Sequence, residues 1–154
     1  MPVAFPVSED YPHGLDVHRI RKLTQQVKTH YPEIIDIFFR SLFSHEERES
    51  RRFKWIQTFR KADEVPQQAA LQAYLDILEN EDLRSVLKSV CRPVMFINGG
   101  HDYICTRRLM GDLKRFYPSA RYQVFEQCGH FPFLSKPHEF NRTLEEFFKD
   151  TKKE

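Results

Sequence analysis

Two sequence patterns follow one another in this chain, and together they predict an α/β protein: a run of helices, then a β-α-β-α unit of a parallel sheet. Up to Cys91 the apolar residues recur every three or four positions, the period of helices with one buried face. After Arg92 an unbroken apolar run, Val94–Asn98, and a second run, Tyr122–Glu126, flank one amphipathic segment, as in parallel strands joined by a crossover helix. Each run ends in glycine and a polar residue. The change of pattern near Cys91 divides the chain into 1–91 and 92–154.

The first fourteen residues carry Pro2, Pro6 and Pro12 and end in Gly14, which predicts irregular chain. From Asp16, a fitting N-cap, Ile20, Leu23, Val27 and Tyr31 trace one helical stripe, and Pro32 ends it or opens the next helix. Ile34, Ile35, Phe38, Phe39, Leu42 and Phe43 give a second, wider face. Ser44 is suited to cap a third helix, with Glu46 and Glu47 in its first turn, where the helix dipole favours anions, and Phe53, Ile56 and Phe59 or Arg60 continuing it. Pro66 opens a fourth with Ala70, Leu71, Tyr74, Leu75 and Leu78 on one side, and Leu83, Val86, Leu87 and Val90 form a short fifth. In the second part Val94–Asn98 reads as a strand buried on both faces. Thr106 caps a helix carrying Leu109, Leu113 and Phe116, and Pro137 opens a last helix burying Phe140, Leu144, Phe147 and Phe148. Thr151 to Glu154 is a solvated tail.

The 154 residues, 40% hydrophobic and 30% charged, suffice for one compact domain. At that size roughly 70% of the unfolded surface is buried on folding, so neither disulfide nor metal is needed. Fourteen Phe, six Tyr and one Trp imply bulky cores or an apolar pocket, and a net charge of +2 implies no polyelectrolyte partner. Three cysteines, Cys91, Cys105 and Cys128, match no zinc or redox spacing and read as buried reduced thiols. The opening residues predict no secretory leader, and no segment approaches the roughly 20 apolar residues of a membrane span. A cytoplasmic protein is expected.

The chemistry lies at the strand ends. In an open parallel sheet, catalytic groups collect beyond the carboxyl ends of the strands, where Asp102 and His130 both fall. An aspartate that fixes the tautomer of a histidine is the orienting pair of a hydrolytic triad. Alone, each has a plainer reading: Asp102 as a turn residue, His130 as a structural histidine. Their order and matching positions favour the pair.

Asn98-Gly99-Gly100-His101-Asp102-Tyr103-Ile104-Cys105 and Gly129-His130-Phe131-Pro132-Phe133, with Pro137-His138-Glu139-Phe140 behind it, resemble the closing part of an α/β-hydrolase. There the triad acid follows the seventh strand and the histidine the eighth. Residues 5–14 are similar to the stretch leaving the sixth strand, and 15–90 to the helical cap of the pimeloyl-[acyl-carrier protein] methyl ester esterases and their relatives. The resemblance is strongest from about Asp82 onward. It implies an incomplete α/β-hydrolase, a cap followed by the last two core strands, with Asp102 as the acid and His130 as the base of a carboxyl-ester hydrolase. It implies no cofactor.

The nucleophile of that family sits on a G-x-S-x-G elbow. None of the eight serines here has glycine two residues away on both sides. Cys105 and Cys128 as replacement nucleophiles lack an elbow and read as packing thiols. A metal site from His101, Cys105, Cys128 and His130 matches no ligand spacing. Arg48, Arg51, Arg52, Lys54, Arg60 and Lys61, interleaved with Phe53 and Trp55, form a solvated helix face. Under the resemblance, Arg48, Arg51, Arg52 and Lys54 are instead a docking surface for an acidic acyl-carrier protein; nucleic acid and membrane are not expected partners. Phe38, Phe39, Phe43 and Trp55 serve helix packing, an acyl pocket, or both. A different reading makes the chain a non-catalytic interaction module. A buried-type strand with one neighbour leaves an apolar edge, which favours self-association or pairing with a complementary N-terminal hydrolase chain.

Overall fold

The computed structural model describes residues 7–59 and 66–152. The element order follows the sequence pattern, with helices first and a βαβα unit after. Asp16 caps α1 (Val17–Thr29) by accepting from the His18 N–H, so the expected boundary holds. The cis Tyr31–Pro32 bond leads into α2 (Glu33–Ser41). Ser44 opens α3 (His45–Glu49) with a capping box: its hydroxyl accepts from the Glu47 N–H while the Glu47 carboxylate accepts from the Ser44 N–H.

The expected third helix is in fact two. Ser50 adopts an extended conformation, ends α3 and caps α4 (Arg51–Thr58) through the Phe53 N–H. A serine hydroxyl offers the backbone an alternative to continued helix, and here it wins. Arg60 and Lys61 lie outside the described residues. Then come α5 (Gln68–Asn80) and α6 (Arg84–Lys88). Tyr74 and Ala70 face solvent rather than the core, as do Leu83, Val86 and Val90. Only Leu75 of α5 is buried, against α1.

In the second half, β1 (Met95–Gly99) pairs in parallel with β2 (Arg121–Phe125), Asn98 opposite Val124. Between them α7 (Arg107–Phe116) is capped by Thr106 as expected, with Leu109, Met110 and Leu113 buried. A short α8 (Pro132–Ser135), absent from the sequence reading, precedes α9 (Pro137–Thr151).

Two burial expectations fail for one reason. Met95, Phe96 and Ile97 are only half-buried, and no residue of α9 is fully buried, with Phe148 56% exposed. β1 has the sequence of a strand within a larger parallel sheet and α9 that of a helix packed on one, but the described sheet has two strands, too few to cover them. Cys91 is exposed, not buried, because it falls in the connection ahead of β1; Cys105 and Cys128 are buried, and all three are unpaired.

Among the described residues, three apolar clusters make up most of the interior. Ile20, Val27, Ile34 and Leu75 hold α1, α2 and α5 together. Tyr11, fully buried, joins Leu109, Met110 and Leu113 beneath the sheet. Leu42, Phe43, Phe53 and Ile56 pack with Ile104, Phe131 and Leu134, so this cluster bonds the helical half to both strand-end segments. Phe43, 1% exposed, contacts the rings of Phe39, Phe53 and Phe131. Burial of such a ring contributes about 1.5–3 kcal/mol.

Candidate active site

Three backbone segments converge at the carboxyl edge of the sheet. A Cβ on Gly99 would lie 1.9 Å from the Gly129 oxygen, and one on Gly129 would lie 2.4 Å from the Leu42 oxygen. Only glycine lets the end of β1, the loop after β2 and the α2–α3 junction approach this closely. Gln127, at φ 63, turns the second loop through the left-handed region.

The loop after β1 is built around two polar side chains. Buried Asn98 donates to the carbonyls of Gly99 and Cys105 at 2.9 and 2.8 Å, which closes the loop. Asp102 accepts from the Ile104 and Cys105 N–H groups through Oδ1 at 2.7 and 2.9 Å, an Asx-type turn. That leaves Oδ2 for His130, whose Nδ1 lies 2.8 Å away. Asp102 therefore serves its turn through one oxygen and meets His130 through the other.

The carboxylate is 2% exposed and the imidazole 17%. With Nδ1 donating to Asp102, Nε2 is left as a proton acceptor. The pair borders an open groove of about 460 Å³ lined by Phe96, Ile97, Phe131 and Phe133. A second cavity of about 800 Å³, walled by Leu15, Ile20, Phe38 and Leu75, reaches Tyr103 and Ile104 just past the acid.

The remaining residues singled out in the sequence scatter. His101 turns outward to Glu46 at 3.6 Å. Cys128 lines a separate cavity with Glu47, its thiol raised to about 11 by burial and then by the Glu47 charge. Cys105 stays beside the pair, its thiol pushed up by burial and then by Asp102, which disfavours a thiolate nucleophile. The four residues His101, Cys105, Cys128 and His130 are thus not assembled into one site. Among the described residues, Asp102, Cys105 and His130 do bring ligand atoms within 4.8 Å of one another. Their 2.8 Å contact suits a shared proton, however, and metal bonds of about 2.0–2.3 Å would require the pair to part.

The basic cluster is partly committed to the fold. Arg48 donates to the carbonyls of Arg40 and Phe43, and Arg52 donates to Leu134 and lies over Trp55. Arg51 and Lys54 face solvent. Trp55 is 51% exposed, and Phe39 and Phe43 instead back Phe131, which lies against the His130 ring. Asn98, Tyr11 and the Glu47 contact with the histidine loop were not singled out from sequence. Of these only Glu47 had a local signal, the Ser44-x-x-Glu47 capping box.

The model of the alpha/beta hydrolase family matches residues 6–143. The chain belongs to the α/β-hydrolase family. It is 31% identical over 131 residues to the pimeloyl-[acyl-carrier protein] methyl ester esterase of Nitrosomonas europaea, covering 85% of this chain and 52% of that one. The corresponding esterase of Xylella fastidiosa strain M23 is 30% identical over 144 residues, covering 90% and 55%. This α/β-hydrolase chain thus spans about half the length of the curated relatives it matches. An esterase from Exiguobacterium antarcticum superposes on 96% of it with a TM-score of 0.79 at 22% identity, over 53% of that structure. The fold expectation is met: helices and a small parallel sheet of an α/β-hydrolase. Among the described residues no helix is long and apolar enough to cross a membrane.

Proposed function

We propose that Asp102 and His130 are the acid and base of a carboxyl-ester hydrolase whose nucleophile and oxyanion hole lie outside these 154 residues. Residues 1–91 act as a helical cap and 92–154 as the closing part of the core. The observation that carries this reading is the 2.8 Å contact between His130 Nδ1 and buried Asp102 Oδ2, at the carboxyl ends of two parallel strands. His130 Nε2 takes the proton of an incoming serine hydroxyl as its oxygen attacks the ester carbon. The imidazolium, stabilised by Asp102, then returns that proton to the leaving alkoxide. Water repeats the cycle on the acyl-enzyme. The names of the relatives support an acyl-carrier-protein ester as substrate, with Arg51 and Lys54 free to meet an acidic carrier. Three unpaired thiols suit a reducing, cytoplasmic setting.

Alone, the chain is expected to be inactive, since no elbow serine is present. Mixed with the complementary N-terminal segment of the Nitrosomonas europaea relative, it should hydrolyse short p-nitrophenyl esters and take up a fluorophosphonate probe. His130→Ala should abolish turnover. A stable assembly that neither hydrolyses nor labels would overturn the proposal. A second reading, a non-catalytic module that self-associates or binds a partner, is favoured by the half-exposed Met95–Ile97 edge of β1. A stable but probe-silent assembly is the result that would select it.

A further inference from the structure

His130 is held from two sides. Its ring is fixed by Asp102 from the core, but its backbone is fixed by the helical half. The His130 N–H donates to the Leu42 carbonyl at 2.7 Å, and the preceding Gly129 N–H donates to Glu47 Oε2 at 2.8 Å. That same oxygen accepts from the Ser44 N–H at 2.6 Å. One carboxylate oxygen therefore ties the start of α3 to the residue before the base.

A helix cap alone does not explain the arrangement. A capping-box glutamate needs only its own N-cap N–H. Here the partner oxygen, Oε1, is buried with no N–H or hydroxyl donor, and the side chain faces the buried Cys128 thiol, a costly placement for a carboxylate. Gly129 also comes so close that its Cβ would stand 3.0 Å from Oε2 and 2.9 Å from the Phe43 Cα. The junction is packed to bring Glu47 onto this loop.

We propose that Glu47 is a positioning residue: through the Gly129 N–H it sets the place of His130, so that the helical half controls the base. The proposal rests on the reading of His130 as that base. It assigns Glu47 no contact with substrate and no proton transfer.

The test is amide exchange and imidazole NMR on the chain as it exists. Glu47→Ala should speed exchange of the Gly129 and His130 amides about tenfold or more, the effect of losing one charge-assisted bond. It should also broaden or shift the His130 Nδ1 proton resonance. Glu47→Gln, whose amide oxygen can accept the same two N–H groups, should restore both signals. Ser44→Ala removes the reciprocal bond from the Glu47 N–H, at 3.2 Å, and weakens the same helix end. It should leave the Gly129 amide and the Nδ1 signal near wild type. Should Glu47→Ala fail to fold, Glu47→Asp, one methylene too short to span Ser44 and Gly129, reads the same amides. Unchanged amide exchange in the folded variant, or an equal change in Ser44→Ala, would overturn the proposal. Asp102→Asn separates the two readings. A wild-type Nδ1 signal insensitive to Asp102→Asn sinks the acid–base pair, while the Gly129 amide still reports on Glu47.

Discussion

Among the described residues two histidine–aspartate pairs have nearly the same geometry, and one of them stands at the carboxyl edge of the sheet. His13 Nδ1 lies 2.9 Å from Asp112 Oδ2, and His130 Nδ1 lies 2.8 Å from Asp102 Oδ2. Both carboxylates are 2% exposed. The surroundings differ. Asp112 stands inside α7 and also takes the His13 N–H at 3.0 Å and the Arg115 guanidinium, so three donors neutralise it. Besides His130, Asp102 takes two local backbone donors at its strand end, pairs with no Lys or Arg among the described residues, and has a groove in front of its histidine. The first pair is a clasp joining residue 13 to residue 112; the second leaves a proton acceptor facing open space. Distance alone does not distinguish a clasp from a catalytic pair. Position in the sheet and the other ligands of the carboxylate do.

The largest expected difference is in stability. Asp112→Ala deletes every bond of the clasp and strands the His13 N–H, which should cost about 2–4 kcal/mol. Asp102→Ala loses two bonds within its own turn and one to His130, and should cost less, about 1–2 kcal/mol. Urea unfolding of the two variants measures the order directly. A larger loss in Asp102→Ala would mean that the strand-end pair is the structural one.

The comparison extends to acid. Burial acts to raise the Asp112 carboxyl, but the His13 N–H, the His13 ring and Arg115 together outweigh it and hold the group below its ordinary 3.8. A carboxyl depressed in the folded state contributes stability that is complete above the ordinary value and is lost as pH falls through the folded one. The thermal midpoint should therefore fall below about pH 4, more steeply in wild type than in Asp112→Asn, which has nothing to titrate there. Asp10 and Asp82, both lowered through hydrogen bonds, Asp82 by Arg84 and Asp10 by Ser8 and then Arg84, add to the same acid limb in both proteins. Parallel acid limbs would remove Asp112 from the account.

The two pairs also mark what the sequence makes legible. Asp102 and His130 could be read because each follows an apolar run and a glycine, a local pattern with a topological meaning. The caps at Asp16, Ser44 and Thr106 were legible for the same reason, since a hydroxyl or carboxylate ahead of an apolar period is a local signal. His13 and Asp112 carry no such signal: they are 99 residues apart, and nothing near either anticipates the other. Tyr11 likewise sits in a segment of prolines and turns, yet it is fully buried through contacts with α7. The break at Ser50 was hidden because the apolar period runs through it. The half-exposure of Met95 to Ile97 was misjudged because strand composition reports the sheet a strand is suited to, not the number of neighbours present.

The smallest expected effect is also the sharpest test of the comparison. His13→Ala removes an imidazole that is 39% exposed and leaves Asp112 its backbone donor and Arg115. With the imidazole that open to solvent and two other donors left on the carboxylate, the variant should lose less than about 1 kcal/mol. In the reconstituted hydrolase it should leave kcat/KM at the wild-type value, whereas His130→Ala, which removes a bond of nearly the same length, should abolish turnover. Measured side by side in one assembly, the two alanines separate a histidine that holds the chain from one that moves a proton. Loss of turnover in folded His13→Ala would place the His13–Asp112 pair in the site, and the line drawn between clasp and base would fall.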